Sequence, residues 1–268
     1  MGKITVKTFI ERKKEREKLV LVTAYTYAQA KIAEAAEVDG VLVGDSLGMV
    51  IKGDANTLNV SLEELEYHTS CVKKGLTSPL LIADMPFLSY QSSVEKGIES
   101  AGRLIKRGAE AVKIEGGEEV APLIEKLVRY GIPVMGHLGM TPQYIHSFGG
   151  YRLQAKSARA RRKILEDARI LEEAGVFSIV LELIPLEVAK EVTEKVNIPT
   201  IGIGAGPFTD GQILVFHDIM GLYPEFKPKF AKVYRDLFTE AVSGLKEFIM
   251  EVKEGQFPDE EHSFRLKK

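Results

Sequence analysis

Cysteine occurs once in the 268 residues and tryptophan not at all. A lone Cys71 excludes an internal disulfide and a zinc site built on several thiolates. No apolar run approaches the roughly 18 residues that mark a membrane span, and no signal-like apolar stretch opens the chain. A basic excess is also missing, because 36 Lys and Arg stand against 38 Asp and Glu for a net charge of -2. The electrostatic footprint of a nucleic-acid binder is therefore absent. Two familiar loops are lacking as well: no Gly-x-Ser-x-Gly elbow occurs, and Gly202-Ile203-Gly204-Ala205-Gly206 does not have dinucleotide-binding spacing. These absences predict a soluble, cytoplasmic chain with neither nucleic acid nor membrane as partner.

What is present is ordinary globular material, 45% hydrophobic and 28% charged. The length suits one α/β barrel of about 250 residues. Apolar runs recur at Leu19 to Ala24, Gly40 to Gly44, Leu80 to Ala83, Ala111 to Ile114 and Pro133 to His137. Three more follow at Phe177 to Leu181, Pro199 to Ile203 and Ile213 to Phe216. Each is apolar at successive positions, as a strand covered on both faces must be. Helical patterns separate them: Thr8 with Glu11, Thr26 with Gln29 and Ser61 with Glu64 have capping-box spacing. Gly75, Gly108, Gly131 and Gly175 fall where helices should stop. The stripe Val120, Leu123, Ile124, Leu127 and Val128 marks one buried helix face. Eight such cycles predict a (β/α)8 barrel. With no linker or composition break, residues 1–268 read as one domain: a charged helix within Lys3 to Lys18 ahead of the barrel, and a helical extension over Lys229 to Lys253 with a polar tail after it. Either part of that extension could serve oligomer contacts. The basic cluster Arg159, Arg161, Arg162 and Lys163 reads as a solvated face, and Cys71 as a core residue inside the helix begun at Ser61.

In such a barrel, chemistry collects where strands end. The runs turn polar at Asp45-Ser46, Asp84, Lys113 with Glu115, His137 and Glu182. Lys113 and Glu115 are two apart and share the inward face. Converging carboxylates repel, so a cation belongs among them. Lys113 supplies one charge, and an oxygen-rich donor set suits Mg²⁺ for the rest. An Asp at a strand end is often only a helix cap, but Gly48, Gly53 and Pro86 follow these two rather than immediate helix starts. Glu182, followed by Ile184 and Pro185, is expected in apolar surroundings that raise its pKa and suit it to act as a general base. His137 could orient substrate or simply be a satisfied structural histidine. The glycine run after the seventh strand could hold phosphate or merely permit close packing.

Taken together, Thr23-Ala24-Tyr25, Val43-Gly44-Asp45-Ser46-Leu47-Gly48, Ala83-Asp84-Met85-Pro86-Phe87, Val112 to Gly117 and Gly136-His137-Leu138-Gly139 resemble the ketopantoate hydroxymethyltransferase family. So do Thr141-Pro142-Gln143, Phe148 to Tyr151, Gly202 to Gly206, Thr209 to Gln212 and Glu260 to Phe264, which carry the resemblance along nearly the whole chain in order. The resemblance implies a (β/α)8 barrel of the phosphoenolpyruvate/pyruvate superfamily. It implies transfer of a one-carbon unit from methylenetetrahydrofolate to 3-methyl-2-oxobutanoate through a Mg²⁺-stabilised enolate, giving 2-dehydropantoate for pantothenate and coenzyme A synthesis. Asp45 and Asp84 are the implied Mg²⁺ ligands, with Glu115 completing the site directly or through water. Ser46 and Lys113 are implied keto-acid contacts, and Glu182 the proton acceptor. Homo-oligomers, often decamers, are implied too. Two other readings remain: a Mg²⁺-dependent carbon-carbon lyase of the same superfamily, which should need a cysteine acid in an active-site loop, and a non-catalytic keto-acid or folate binder.

Overall fold

The computed structural model describes residues 2–224 and 228–266. It contains two compact units, Met1–Phe216 and His217–Lys268. The first is a closed parallel barrel in which each strand pairs with the next and β8 returns to β1. Its strands are β1 (Leu19–Thr23), β2 (Gly40–Val43), β3 (Leu80–Asp84), β4 (Ala111–Glu115), β5 (Val134–Gly139), β6 (Ser178–Glu182), β7 (Thr200–Ile203) and β8 (Gly211–Leu214). Between and before them run α1 (Val6–Glu15), α2 (Tyr27–Ala35), α3 (Leu47–Val50), α4 (Leu62–Lys73), α5 (Val94–Lys106), α6 (Ala121–Arg129), α7 (Ile145–Phe148), α8 (Ala158–Ala174) and α9 (Leu186–Lys195). A short α10 (Phe216–Ile219) follows β8, and the second unit is built on α11 (Leu237–Glu254).

Strand parity organises the interior. Leu80 and Ile82 on β3, Ala111 on β4, Met135 on β5 and Val180 on β6 join Leu19, Leu21, Leu42, Ile201 and Ile213 in one buried cluster. Two residues further along the same strands, and so on the same face, stand Asp84, Lys113, His137 and Glu182. The barrel core is thus apolar up to its last layer and charged there. Ile4 and Phe9 complete the cluster, so α1 plugs the amino end, with the Phe9 ring edge-on to Phe177 at 5.6 Å.

Several local expectations change in detail. The first helix starts at Val6, capped by Thr5 in a reciprocal box with Thr8; Thr8 therefore lies inside the helix and does not cap it with Glu11. Ser61 and Glu64 do form a reciprocal box. Thr26 accepts from the Gln29 N–H, but the Gln29 side chain accepts from the Tyr25 N–H instead. The eighth strand starts two residues earlier than its apolar run, at Gly211, which pairs with Leu19; a Cβ there would lie 2.5 Å from Leu19 O, so glycine permits the close approach that closes the barrel. Helix α11 begins only after Asp236, whose carboxylate accepts from the Thr239 N–H, so the stretch from Pro228 to Asp236 is not helical. Cys71 lies on α4 but is only partly buried. Arg161 pairs with Glu191, and Lys163 with Asp167 and Glu118, as a solvated face should.

Candidate active site

The carboxyl ends of β3 to β6 bring together most of the residues singled out in the sequence. Register places Asp84 beside Lys113, Glu115 beside His137 and Gly139 beside Glu182. Gly139 has φ +99°, and a Cβ there would lie 2.2 Å from Glu182 O. Only glycine allows the backbones of β5 and β6 to meet this closely, locked by Met140 N–H donating to Glu182 O at 2.8 Å. The next residue, Leu183, sits at φ 45°, a left-handed conformation that a branched side chain adopts at a cost and that concentrates at functional sites.

Lys113, 5% exposed, is the hub. Its Nζ lies 2.9 Å from Asp84 Oδ1, 3.7 Å from Glu115 Oε1 and 3.2 Å from His137 Nδ1. Burial opposes its charge, yet Asp84, Glu115 and Asp45 outweigh burial and hold it firmly as an ammonium. His137 stands between two carboxylates, Nδ1 3.2 Å from Glu115 Oε1 and Nε2 3.2 Å from Glu182 Oε2. Burial and the Lys113 charge act against its protonation, but the flanking carboxylates prevail and its pKa moves up. The Glu182 carboxylate is therefore not alone in apolar surroundings, as the sequence suggested; a histidine faces it.

Asp45 and Asp84 are close neighbours: the Asp45 N–H donates to Asp84 Oδ2 at 2.9 Å. Burial, then repulsion by Asp84 and Glu115, pushes Asp45 well above the usual carboxylate range. Burial likewise raises Asp84, against the pull of Lys113. Glu115 moves the other way: although burial resists, His137, Lys113 and the Gln143 N–H favour its ionised form. Ser46 Oγ lies 2.7 Å from the Tyr25 hydroxyl. Tyr151, whose phenol burial and the Glu182 charge push upward, reaches Met49 Sδ at 3.2 Å.

A divalent cation suits part of this set. Asp84 Oδ1 and Glu115 Oε1 are buried without an aligned hydrogen bond and share the single ammonium of Lys113, and two adjacent aspartates driven toward protonation mark a surplus of negative charge. Among the described residues, however, no three His, Cys, Asp or Glu side chains converge on one point. Asp45 and Asp84 come together, while Glu115 is turned to His137 and Gln143.

Three participants escaped the strand-end reading. Gln143 donates from Nε2 to Asp45 Oδ2 at 3.1 Å and from its backbone N–H to Glu115 Oε2 at 3.0 Å. Tyr90 Oη lies 2.9 Å from Gln143 Oε1 and 3.0 Å from Glu115 O. Tyr25 orients Ser46. All three lie outside the strands, and the only sequence signal for Gln143 is its place directly after Thr141-Pro142 at the exit of β5. The glycine loop is explained by packing: a Cβ on Gly202 would meet Thr209 Oγ1 at 2.7 Å, and one on Gly206 would meet Leu186 Cβ at 2.5 Å.

Similarity to known proteins agrees with this architecture. The family model of ketopantoate hydroxymethyltransferase matches residues 3–260. The chain belongs to the ketopantoate hydroxymethyltransferase family. Among its relatives, the 3-methyl-2-oxobutanoate hydroxymethyltransferase of Thermotoga maritima is 55% identical over 95% of this chain and 94% of its own. That of Clostridioides difficile is 50% identical over 98% and 96%. A phosphonopyruvate hydrolase solved with oxalate and Mg²⁺ superposes with TM-score 0.63 at 13% identity, covering 97% of this chain and 93% of its own. A 2,3-dimethylmalate lyase of the PEP mutase/isocitrate lyase superfamily gives 0.59 at 17% identity, covering 97% and 92%. At that distance these two share the (β/α)8 fold with the family member described here. No helix among the described residues is long and apolar enough to cross a membrane.

Proposed function

We propose that this chain transfers a hydroxymethyl group from methylenetetrahydrofolate to 3-methyl-2-oxobutanoate, giving 2-dehydropantoate. The observation that carries the reading is one charged layer on four consecutive strands, with Asp84, Lys113, Glu115, His137 and Glu182 at the barrel mouth of a chain from this family. Asp45 and Asp84 would hold Mg²⁺, with Glu115 completing the site directly or through water. A cation there supplies positive charge against the charge that builds on the 2-oxo acid when its C3 loses a proton.

The chain's own groups account for the rest. Lys113 Nζ and Ser46 Oγ, the latter fixed by Tyr25, meet the substrate carboxylate. Glu182 Oε2 takes the C3 proton, and the resulting carbon nucleophile bonds to the one-carbon unit. Both bonds from that carbon to the folate nitrogens break, one water supplies the hydroxyl of the product, and tetrahydrofolate leaves with the two protons given up by C3 and the water. His137 Nε2 lies 3.2 Å from Glu182 Oε2 without an aligned hydrogen bond and contacts substrate beside it. The lyase reading has less support, since the chain's one cysteine lies on α4 and not in a loop. A pure binder has no use for a carboxylate facing a histidine opposite a cation site.

The whole chain is read as one working domain, cytoplasmic and homo-oligomeric, with a decamer the expected form. The exposed apolar side chains of α11, Leu245, Phe248, Met250 and Val252, support an oligomer contact. The test is product formation: purified protein with both substrates and Mg²⁺ should yield 2-dehydropantoate by mass spectrometry, and no product with or without the metal would end the reading.

A further inference from the structure

Gln143 is 6% exposed and uses every hydrogen-bonding position of its side chain. Nε2 donates to Asp45 Oδ2 at 3.1 Å and to Met85 O at 2.9 Å. Oε1 accepts from the Tyr90 hydroxyl and from Gln91 Nε2, both at 2.9 Å. The amide cannot turn over, because its oxygen would then face the Asp45 carboxylate and the Met85 carbonyl while its NH₂ faced the NH₂ of Gln91. Gln143 therefore always presents a donor to Asp45.

The consequence lies in which carboxylate oxygens are left. Asp45 Oδ2 is occupied by Gln143 Nε2, Glu115 Oε2 by the Gln143 N–H, and Asp84 Oδ2 by the Asp45 N–H. Each of the three carboxylates has one oxygen held by a backbone or amide donor, and two of those donors belong to Gln143. Of the other three oxygens, Asp84 Oδ1 meets Lys113 Nζ at 2.9 Å and Glu115 Oε1 faces His137 Nδ1 at 3.2 Å, whereas Asp45 Oδ1 meets neither kind of cationic group. Asp45, held in this way, offers one oxygen to a cation. Mg²⁺ takes six ligands in a near-ideal octahedron and suits single oxygens, whereas Ca²⁺ takes more and readily uses both oxygens of one carboxylate.

We propose that Gln143 is a positioning residue that confines Asp45 to a single free oxygen, Oδ1, and so makes the site select a small octahedral cation over a larger one. The proposal rests on the cation reading given under Proposed function. It does not need Gln143 to touch the cation or the substrate.

The test is calorimetric titration of metal-free, full-length protein with Mg²⁺ and, separately, with Ca²⁺, comparing wild type with Gln143→Leu and Gln143→Met. Methionine keeps the length of the side chain, and neither variant presents a donor to Asp45 or adds charge to the site. Loss of a residue that orients a ligand weakens metal binding by about 10–100-fold. The expected result is a loss of that size for Mg²⁺ with Ca²⁺ binding unchanged or tighter, so that the preference collapses. A parallel loss for both ions, or no change in either, overturns the proposal and leaves the cation reading standing. Wild-type protein that binds neither ion overturns both. Should neither variant fold, infrared spectra of the wild type decide: Mg²⁺ should move the symmetric and antisymmetric carboxylate bands apart, as single-oxygen ligation does, and bands that draw together overturn the assignment.

Discussion

At the amino end of the barrel, Phe9 is fully buried against Phe177 among Leu, Ile and Ala side chains; at the carboxyl end, two residues on along the same strands, Asp84, Lys113 and His137 are buried to within a few per cent. The amino end carries its buried charge at the rim, where Asp39 pairs with Arg12 at 3.0 Å and accepts the Val20 N–H. The carboxyl end crowds acids, an ammonium and an imidazole into one layer. Apolar closure of the first kind gains stability from every carbon removed from water, while closure of the second kind gains little and exists because chemistry needs it. One β-strand serves both purposes because its parity runs unbroken from core to site.

The largest effect separating the ends is expected from Phe9→Ala, which should lower unfolding free energy by about 3–5 kcal/mol in urea titration while leaving activity per folded molecule intact. A loss of activity without a loss of stability would show that the plug serves the site. Next, Lys113→Met should cost about 3 kcal/mol at neutral pH by stranding buried carboxylates. The deficit should shrink as pH falls, because Asp45 and Asp84 have raised pKa values and take up protons readily once the ammonium is gone. Chemical denaturation across pH measures this, and a pH-independent deficit would mean that the lysine matters only as packing.

Metal addition sharpens the contrast further. Both aspartates must lose protons to hold a cation. Since burial raises both, Mg²⁺ at about 100 times its dissociation constant should add about 2.7 kcal/mol above their folded pKa values and progressively less as pH falls through them. Melting curves with and without Mg²⁺ at mildly acidic and mildly alkaline pH would show it, and an equal gain at both would place the ion elsewhere. The smallest effect is expected from Tyr25→Phe. The ring stays buried, the hydrogen bond to Ser46 goes, about 1 kcal/mol of stability is lost, and KM for the oxo acid rises while kcat changes less. An unchanged KM would remove Ser46 from the substrate contacts.

The contrast also explains what the sequence reveals. Strands buried on both faces announce themselves as unbroken apolar runs, so all eight can be read, and their first polar residues point directly at Asp84, Lys113, Glu115 and Glu182. The eighth is read late because Gly211 and Gln212 have no strand signature; their place is fixed by contact with Leu19. Thr5 escapes as a cap because its partner is Thr8 rather than a glutamate. Gln143 escapes for a related reason: it meets Asp45 across 98 residues of chain, from a turn of 3-10 helix, Pro142–Tyr144, after β5, and no local spacing encodes such a meeting. The same holds for His137 facing Glu182, a pairing set by neighbouring strands rather than by either residue's sequence surroundings.

The central claim is that Glu182 removes the C3 proton at a site completed by Mg²⁺. Proton NMR of 3-methyl-2-oxobutanoate in D₂O, with metal-stripped protein before and after addition of Mg²⁺ and tetrahydrofolate, tests it most directly. The C3 proton signal should fade only when Mg²⁺ is present, and Glu182→Gln should slow the exchange by about 10²–10⁴-fold while the variant still melts cooperatively as a folded protein. Exchange at the wild-type rate in that variant, or none by the wild-type protein under any of these conditions, would contradict it.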